Sequence, residues 1–225
     1  SMIAIQTKMR DDLIEAEKLK QQLSLSLLQQ QVNPHFLYNT LDNICALAEL
    51  DEKETLIQLV MNLSSFYRSS LSNGKMHISI GQELEISRAY LEILQIRYFH
   101  KFDFTITCPE ALKNYSCIKL LLQPILENSI YHGIKGLDRH GILHIEAEDT
   151  GDCIRFTISD NGRGFSKEDY EKIWQEDADH FGIKSIQQRI LLYYGPGYGL
   201  SMQSPQTGGC ITMITLPKQE GLPCH

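Results

Sequence analysis

Near Lys101 the apolar residues of this chain change their spacing, from recurrences of three and four to alternation. A helix repeats about every 3.6 residues and a strand every two, so one kind of element cannot serve both halves. The chain must join a helical part to a sheet-bearing part. On the near side, Leu37, Leu41, Ile44 and Ala48 recur at helical spacing after Phe36. Leu56, Leu59, Val60, Leu63, Phe66 and Tyr67 do the same beyond the polar turn Asp51-Glu52-Lys53. Two amphipathic helices with so short a connection predict an antiparallel hairpin. One hairpin cannot cover both apolar stripes, so two copies are expected to pair into a four-helix bundle. Residues Ser69 to Gly74 punctuate the end, and Gln82 to Tyr98 reads as one more helix.

On the far side Phe102 to Ile106, Leu143 to Ala147 and Ile154 to Ile158 alternate, with a last pair at Tyr198–Ser204 and Cys210–Leu216. Helical segments at Lys119–Tyr131 and Ile183–Tyr193 lie between them. Short turns at 149–152 and 205–209 predict a mixed, largely antiparallel sheet with helices on one face. The expected class is therefore α+β: a dimeric helical hairpin followed by a two-layer α/β sandwich.

Upstream, Ile3 to Gln31 holds no Gly or Pro, and Met2, Gln6, Met9, Leu13, Ala16, Lys20, Leu23 and Leu27 alternate in steps of four and three. That seam fits a parallel coiled coil or an ordinary amphipathic helix, and Pro34 should end or restart it. The expected organisation is 1–31 upstream helix or coiled coil, 32–98 helical dimerisation domain, 99–219 α/β sandwich domain and 220–225 tail. Ser1 before Met2 is expected to be a remnant at the cut end of a longer chain.

A net charge of −7 and the lack of a basic stripe disfavour nucleic acid or an anionic membrane surface as the main partner. No apolar run approaches the length of about 18 residues needed to span a bilayer, and no signal peptide is visible. Six cysteines without a C-x-x-C pair argue against a zinc ribbon or disulfide framework and for reduced, structural thiols.

No G-x-x-x-x-G-K-S/T phosphate loop is present, which removes a Walker-type site. Instead, Asp160-Asn161-Gly162-Arg163-Gly164 closes an alternating strand. There a carboxylate can accept a hydrogen bond from an exocyclic amine while Gly162 and Gly164 admit a flat base; a tight turn explains the same residues. In Glu127-Asn128-Ser129-Ile130-Tyr131-His132-Gly133 the side chains of Asn128 and His132 are four apart on one face. They suit a divalent metal and a phosphate or ribose, or simply a polar helix end. Gly182 opens a helix, a ready anion site, and Gly208-Gly209-Cys210 precedes the last strand.

Taken in order, these elements resemble the ATP-binding domain shared by gyrase, Hsp90, histidine kinases and MutL. Within that superfamily, Gln30 to Leu41, with Asn33-Pro34-His35-Phe36 at its centre, resembles the phosphoacceptor box of the LytS/YesM type of bacterial sensor histidine kinase. Gln123-Pro124-Ile125-Leu126-Glu127-Asn128 and Tyr131-His132-Gly133 resemble its asparagine box, and the likeness runs from about Leu28 to Pro217.

The resemblance implies ATP and Mg²⁺ as cofactors and His35 as the phosphorylated residue, with Mg²⁺ on Asn128 and adenine on Asp160. Gly162, Gly164, Gly182 and Gly209 flank the nucleotide, with His132 near phosphate. It also implies a homodimer, a response regulator receiver domain as partner, and a cytoplasmic place below a membrane sensor. Phe36 follows His35, so no adjacent acid serves as base; Glu127 is the first candidate and Asp42 the second. At about 100° per residue, Leu37, Leu41, Ile44 and Ala48 lie roughly 200° around the axis from His35, which predicts an exposed imidazole.

The chain also departs from the pattern. Tyr131 stands where many relatives carry a phosphate-contacting lysine, so Lys135 or Arg189 is expected to supply that charge. His180, Ser185 and Cys210 replace a glycine, an asparagine and a threonine, and the acidic stretch 165–181 is expected to be a mobile lid. The alternatives are an ATP-binding regulatory module of this fold without kinase activity, and an ATPase of the same superfamily.

Overall fold

The computed structural model describes residues 34–70, 76–174 and 181–220, so the heptad seam, His180 and most of the tail lie outside the described residues. The chain divides into two compact units, Ser1–Asn43 and Ile44–His225. Helix α1 (Pro34–Glu49) and helix α2 (Lys53–Ser70) are joined by a turn in which Asp51 takes a φ of 58°. Pro34 sits at the first helical position, where its missing N–H is no loss.

Strand β1 (His77–Ser79) leads into helix α3 (Ile80–Arg97). Ser79 caps α3 reciprocally with Gln82, its hydroxyl accepting from the Gln82 amide at 3.2 Å while its own amide donates to Gln82 Oε1 at 3.0 Å. Apolar residues occupy most of the circumference of α3, and Ile80, Leu84, Ile86, Leu91, Ile93 and Leu94 are all buried. This helix is a core element, packed on α2 on one side and on the sheet on the other.

The five-stranded sheet has the order β2 (Phe102–Thr107), β4 (Gly141–Asp149), β5 (Cys153–Asp160), β7 (Cys210–Pro217), β6 (Gly199–Gln203). Only β2 and β4 run parallel; the other neighbours are antiparallel, so the sheet is mixed and largely antiparallel as expected. A small second sheet pairs β1 with β3 (Ser116–Ile118). Strict alternation along β5 buries Ile154, Phe156, Ile158 and Asp160 on one face. Each of these apolar side chains contributes about 1.5 to 3 kcal/mol on burial. Helix α3 covers β2, a π-helical turn (Ser129–Ile134) covers β4 and β5, and helix α6 (Phe181–Tyr194) covers β6 and β7.

Two local readings are corrected. The helix expected from Lys119 begins only with α4 (Gln123–Asn128), because Leu120 takes a left-handed φ of 54°. That turn is held from afar: buried Glu83 of α3 accepts the Leu120 and Leu122 amides at 2.8 Å each, and Arg189 donates to the Lys119 and Leu120 carbonyls. The expected lid opens instead as helix α5 (Lys167–Ile173), capped by Ser166 and Asp169; the rest of the stretch, 175–180, lies outside the described residues.

Candidate functional site

Register builds the site around Asp160. As the last residue of β5, in phase with Ile154, Phe156 and Ile158, its carboxylate points into the interior beneath the π-helical turn. The residue paired with it on β7 is Cys210, whose amide donates to Asp160 Oδ1 at 3.2 Å; the Gly162 amide donates to the same oxygen at 2.9 Å. Oδ2 is buried and closes no hydrogen bond. Burial pushes the carboxyl pKa up, against the nearby Ser129 hydroxyl and the two amides, which favour the charged form. An acceptor is thus fixed by one oxygen and presented by the other, which is what recognition of an amine donor requires.

Glycines hold the walls close. A side chain at Gly162 would meet Asp160 Oδ1 at 2.6 Å and the Gly133 Cα at 2.7 Å. Gly209 has a φ of +86°, and a Cβ there would run into the Asp160 carbonyl oxygen. Above Asp160 opens a cleft whose lining includes Asn128, Ser129, His132, Arg163, Gly164 and Ile173. Cys210 also lines it, with burial pushing its thiol up to about 11.

A second cleft shares Asn128 and His132 with the first and adds Pro124, Glu127, Tyr131 and Gly182. Helix α4 positions Glu127, whose Oε1 accepts from Tyr90 at 3.2 Å and from Gln123 at 3.0 Å. Partial burial raises the Glu127 pKa, with both hydrogen bonds opposing. Asn128 is the one predicted metal-holding residue that lines both clefts, as an oxygen donor of the kind a hard divalent cation takes.

The structure thus brings together Glu127, Asn128, His132, Asp160, Gly162, Gly164, Gly182 and Gly209. It does not bring Arg189, which is buried behind α4 and donates to backbone carbonyls. Lys135 lines neither cleft, and its ammonium lies 5.9 Å from the rings of both Tyr98 and Tyr131. The cation that lines the Asp160 cleft is Arg163, whose signal was its place between the two motif glycines. Tyr90 was also missed, having no local motif.

His35 belongs to the other unit. It is exposed on α1, as its angular position predicts, with the Asn39 amide nitrogen 3.0 Å from Nδ1. That contact orients the ring and leaves Nε2 outside it.

Comparison with known proteins matches two family models in chain order. Residues 23–102 match "Histidine kinase", and residues 115–220 match "Histidine kinase-, DNA gyrase B-, and HSP90-like ATPase". Sensor histidine kinase YesM of Bacillus subtilis is 30% identical over 93% of this chain and 36% of its own length. Sensor histidine kinase BtsS of Escherichia coli is 33% identical over 80% of this chain and 31% of its own. The chain therefore spans about a third of the curated relatives it matches. Among solved structures, histidine kinase ThkA in complex with response regulator protein TrrA shares the fold at a TM-score of 0.52, with 15% identity, over 93% of this chain and 66% of that one. With both family models matched in order over most of its length and relatives of the YesM and LytS kind, the chain belongs to the sensor histidine kinases.

Proposed function

We propose that the chain is the kinase core of a two-component sensor: it phosphorylates His35 from ATP and passes the phosphoryl group to an aspartate of a response regulator receiver domain. The observation that carries this reading is the Asp160 carboxylate, held by two backbone amides and offering a buried, unpartnered oxygen at the floor of a glycine-walled cleft. Adenine, with its exocyclic amine, fits that acceptor. Arg163 and His132, which line the same cleft, supply positive and hydrogen-bonding groups to the phosphates in place of Arg189.

In the transfer, His35 attacks in line through a neutral ring nitrogen; the N–P bond forms as the bond from the γ-phosphorus to the bridging oxygen breaks and ADP leaves. Glu127 accepts the proton that the phosphorylated ring gives up, a role suited to a carboxylate whose pKa is raised by burial. Asn128 would hold Mg²⁺, which supplies charge neutralisation at the transferring phosphate.

The dimer rests on apolar side chains left at the surface of one copy: Leu41 is 43% exposed, Val60 43% and Met61 62%. The relatives are bacterial proteins named as sensors, and a place on the cytoplasmic side of a bacterial membrane is part of the same proposal. Incubation with γ-labelled ATP and Mg²⁺ tests the reading, and a label that is acid-labile and alkali-stable is expected. ATP binding without label would make the chain a nucleotide-binding regulatory module instead.

A further inference from the structure

Tyr90 lies on α3, outside every motif and in the lining of neither cleft, yet its hydroxyl donates to Glu127 Oε1 at 3.2 Å and also meets the Tyr131 hydroxyl. It is 1% exposed, and its ring is fixed from the other side by Phe66 of α2, also buried, with ring centroids 5.8 Å apart. Helix α2 thus touches Tyr90, and Tyr90 touches the carboxylate proposed as base. Two turns further along the same face of α3, Arg97 donates to the Tyr131 hydroxyl at 3.3 Å, so α3 grips the α4 end of the site twice. With Gln123 on the same oxygen, Oε1 of Glu127 is fully engaged and Oε2 is the atom left to act.

We infer that Tyr90 is a positioning residue for the phosphoryl transfer: it fixes the Glu127 carboxylate and makes that position depend on α2 through Phe66. The inference rests on the kinase reading above. A carboxylate that must meet one proton in the transition state loses rate when its rotamer is freed, whereas ATP held by Asp160, Asn128 and the glycines is bound as before. A displacement of α2 against α3 therefore reaches the site as a change in rate rather than in nucleotide affinity.

The test uses Tyr90→Phe, which keeps the ring and its packing on Phe66 and removes only the hydroxyl. The initial rate of autophosphorylation at saturating ATP is expected to fall about tenfold, with the Kd for ATP within twofold of wild type. Placed in a Glu127→Gln chain, the same change is expected to cause no further loss. Phe66→Leu is expected to slow wild type severalfold and to leave the Tyr90→Phe chain unchanged. An unaltered rate in Tyr90→Phe overturns the inference, as does a fall in ATP affinity that accounts for the lost rate. Additive losses with Glu127→Gln or with Phe66→Leu overturn it as well. A wild-type chain that binds ATP and takes up no label overturns the kinase reading, and this inference with it.

Discussion

Replacing Asp160 with Asn separates binding from folding at the point where the account is most specific. In the fold, Oδ1 accepts two amides and Oδ2 offers a second acceptor. The introduced asparagine keeps the first function by turning its oxygen to the Gly162 and Cys210 amides, which leaves an NH₂ donor facing the adenine amine. Loss of that hydrogen bond and the donor-on-donor opposition weaken ATP by about 1 to 3 kcal/mol, a Kd roughly 5- to 150-fold higher. Stability moves the other way. Burial raises the Asp160 pKa, so this group's contribution to stability is fully present below its unfolded pKa and is lost as pH rises through the folded one. At pH 7 the neutral isostere removes that penalty, and the melting temperature is expected to equal or exceed that of wild type. Calorimetric titration with ATP and GTP, beside a thermal melt, measures both. The preference for ATP over GTP should narrow, because guanine presents a carbonyl where adenine presents its amine. An ATP affinity within twofold of wild type in a folded variant would refute the assignment.

Three further outcomes follow from the packing. Gly209→Ala, at a φ of +86° and against the Asp160 carbonyl, should destabilise by about 2 kcal/mol or more in urea, and a neutral result would mean the β7 entry relaxes freely. Glu83→Ala strips the Leu120 and Leu122 amides and buried Arg189 of their shared partner. It should cost about 3 to 5 kcal/mol by chemical denaturation, and a cost below about 1 would show that the turn at 119–122 holds itself. The paired change Val60→Glu and Met61→Glu should turn a dimer into a monomer in sedimentation at tens of micromolar; a wild-type monomer there contradicts the bundle.

The legible parts of the chain were those set by short-range pattern. The change of period at Lys101, the alternation that aims Asp160 inward and the angular position of His35 each follow from residues within a few turns of one another. What escaped was fixed over long range. Leu120 looked helical among Leu121 and Leu122, but its left-handed backbone is held by Glu83 and Arg189, 37 and 69 residues away. Arg189 was expected at the phosphates because Tyr131 stands in place of a lysine and the charge had to come from elsewhere; its place beside Ile186 and Ile190 on the buried arc was the sign that it belongs inside. Strands β1 and β3 were missed because three residues carry no alternation. The parallel pairing of β2 with β4 depends on how the intervening α4 crosses over, which no local period encodes. Helix α3 was read from the sequence only as one more helix; the overlooked signal was the apolar residues around most of its circumference, which mark a core helix on which Glu83 and Tyr90 need partners.

The central claim is that His35 receives the phosphoryl group, and replacing it with Gln tests that most directly. Glutamine is compatible with an exposed helical position, so folding should change by less than about 0.5 kcal/mol. Nucleotide affinity should survive, since Asp160, Asn128 and Gly182 are untouched. Side-by-side incubation of both chains with γ-labelled ATP and Mg²⁺ is predicted to give acid-labile, alkali-stable label in wild type and none in His35→Gln, because an amide offers no nucleophilic nitrogen. Label in His35→Gln at the wild-type level would place the acceptor elsewhere and contradict the account.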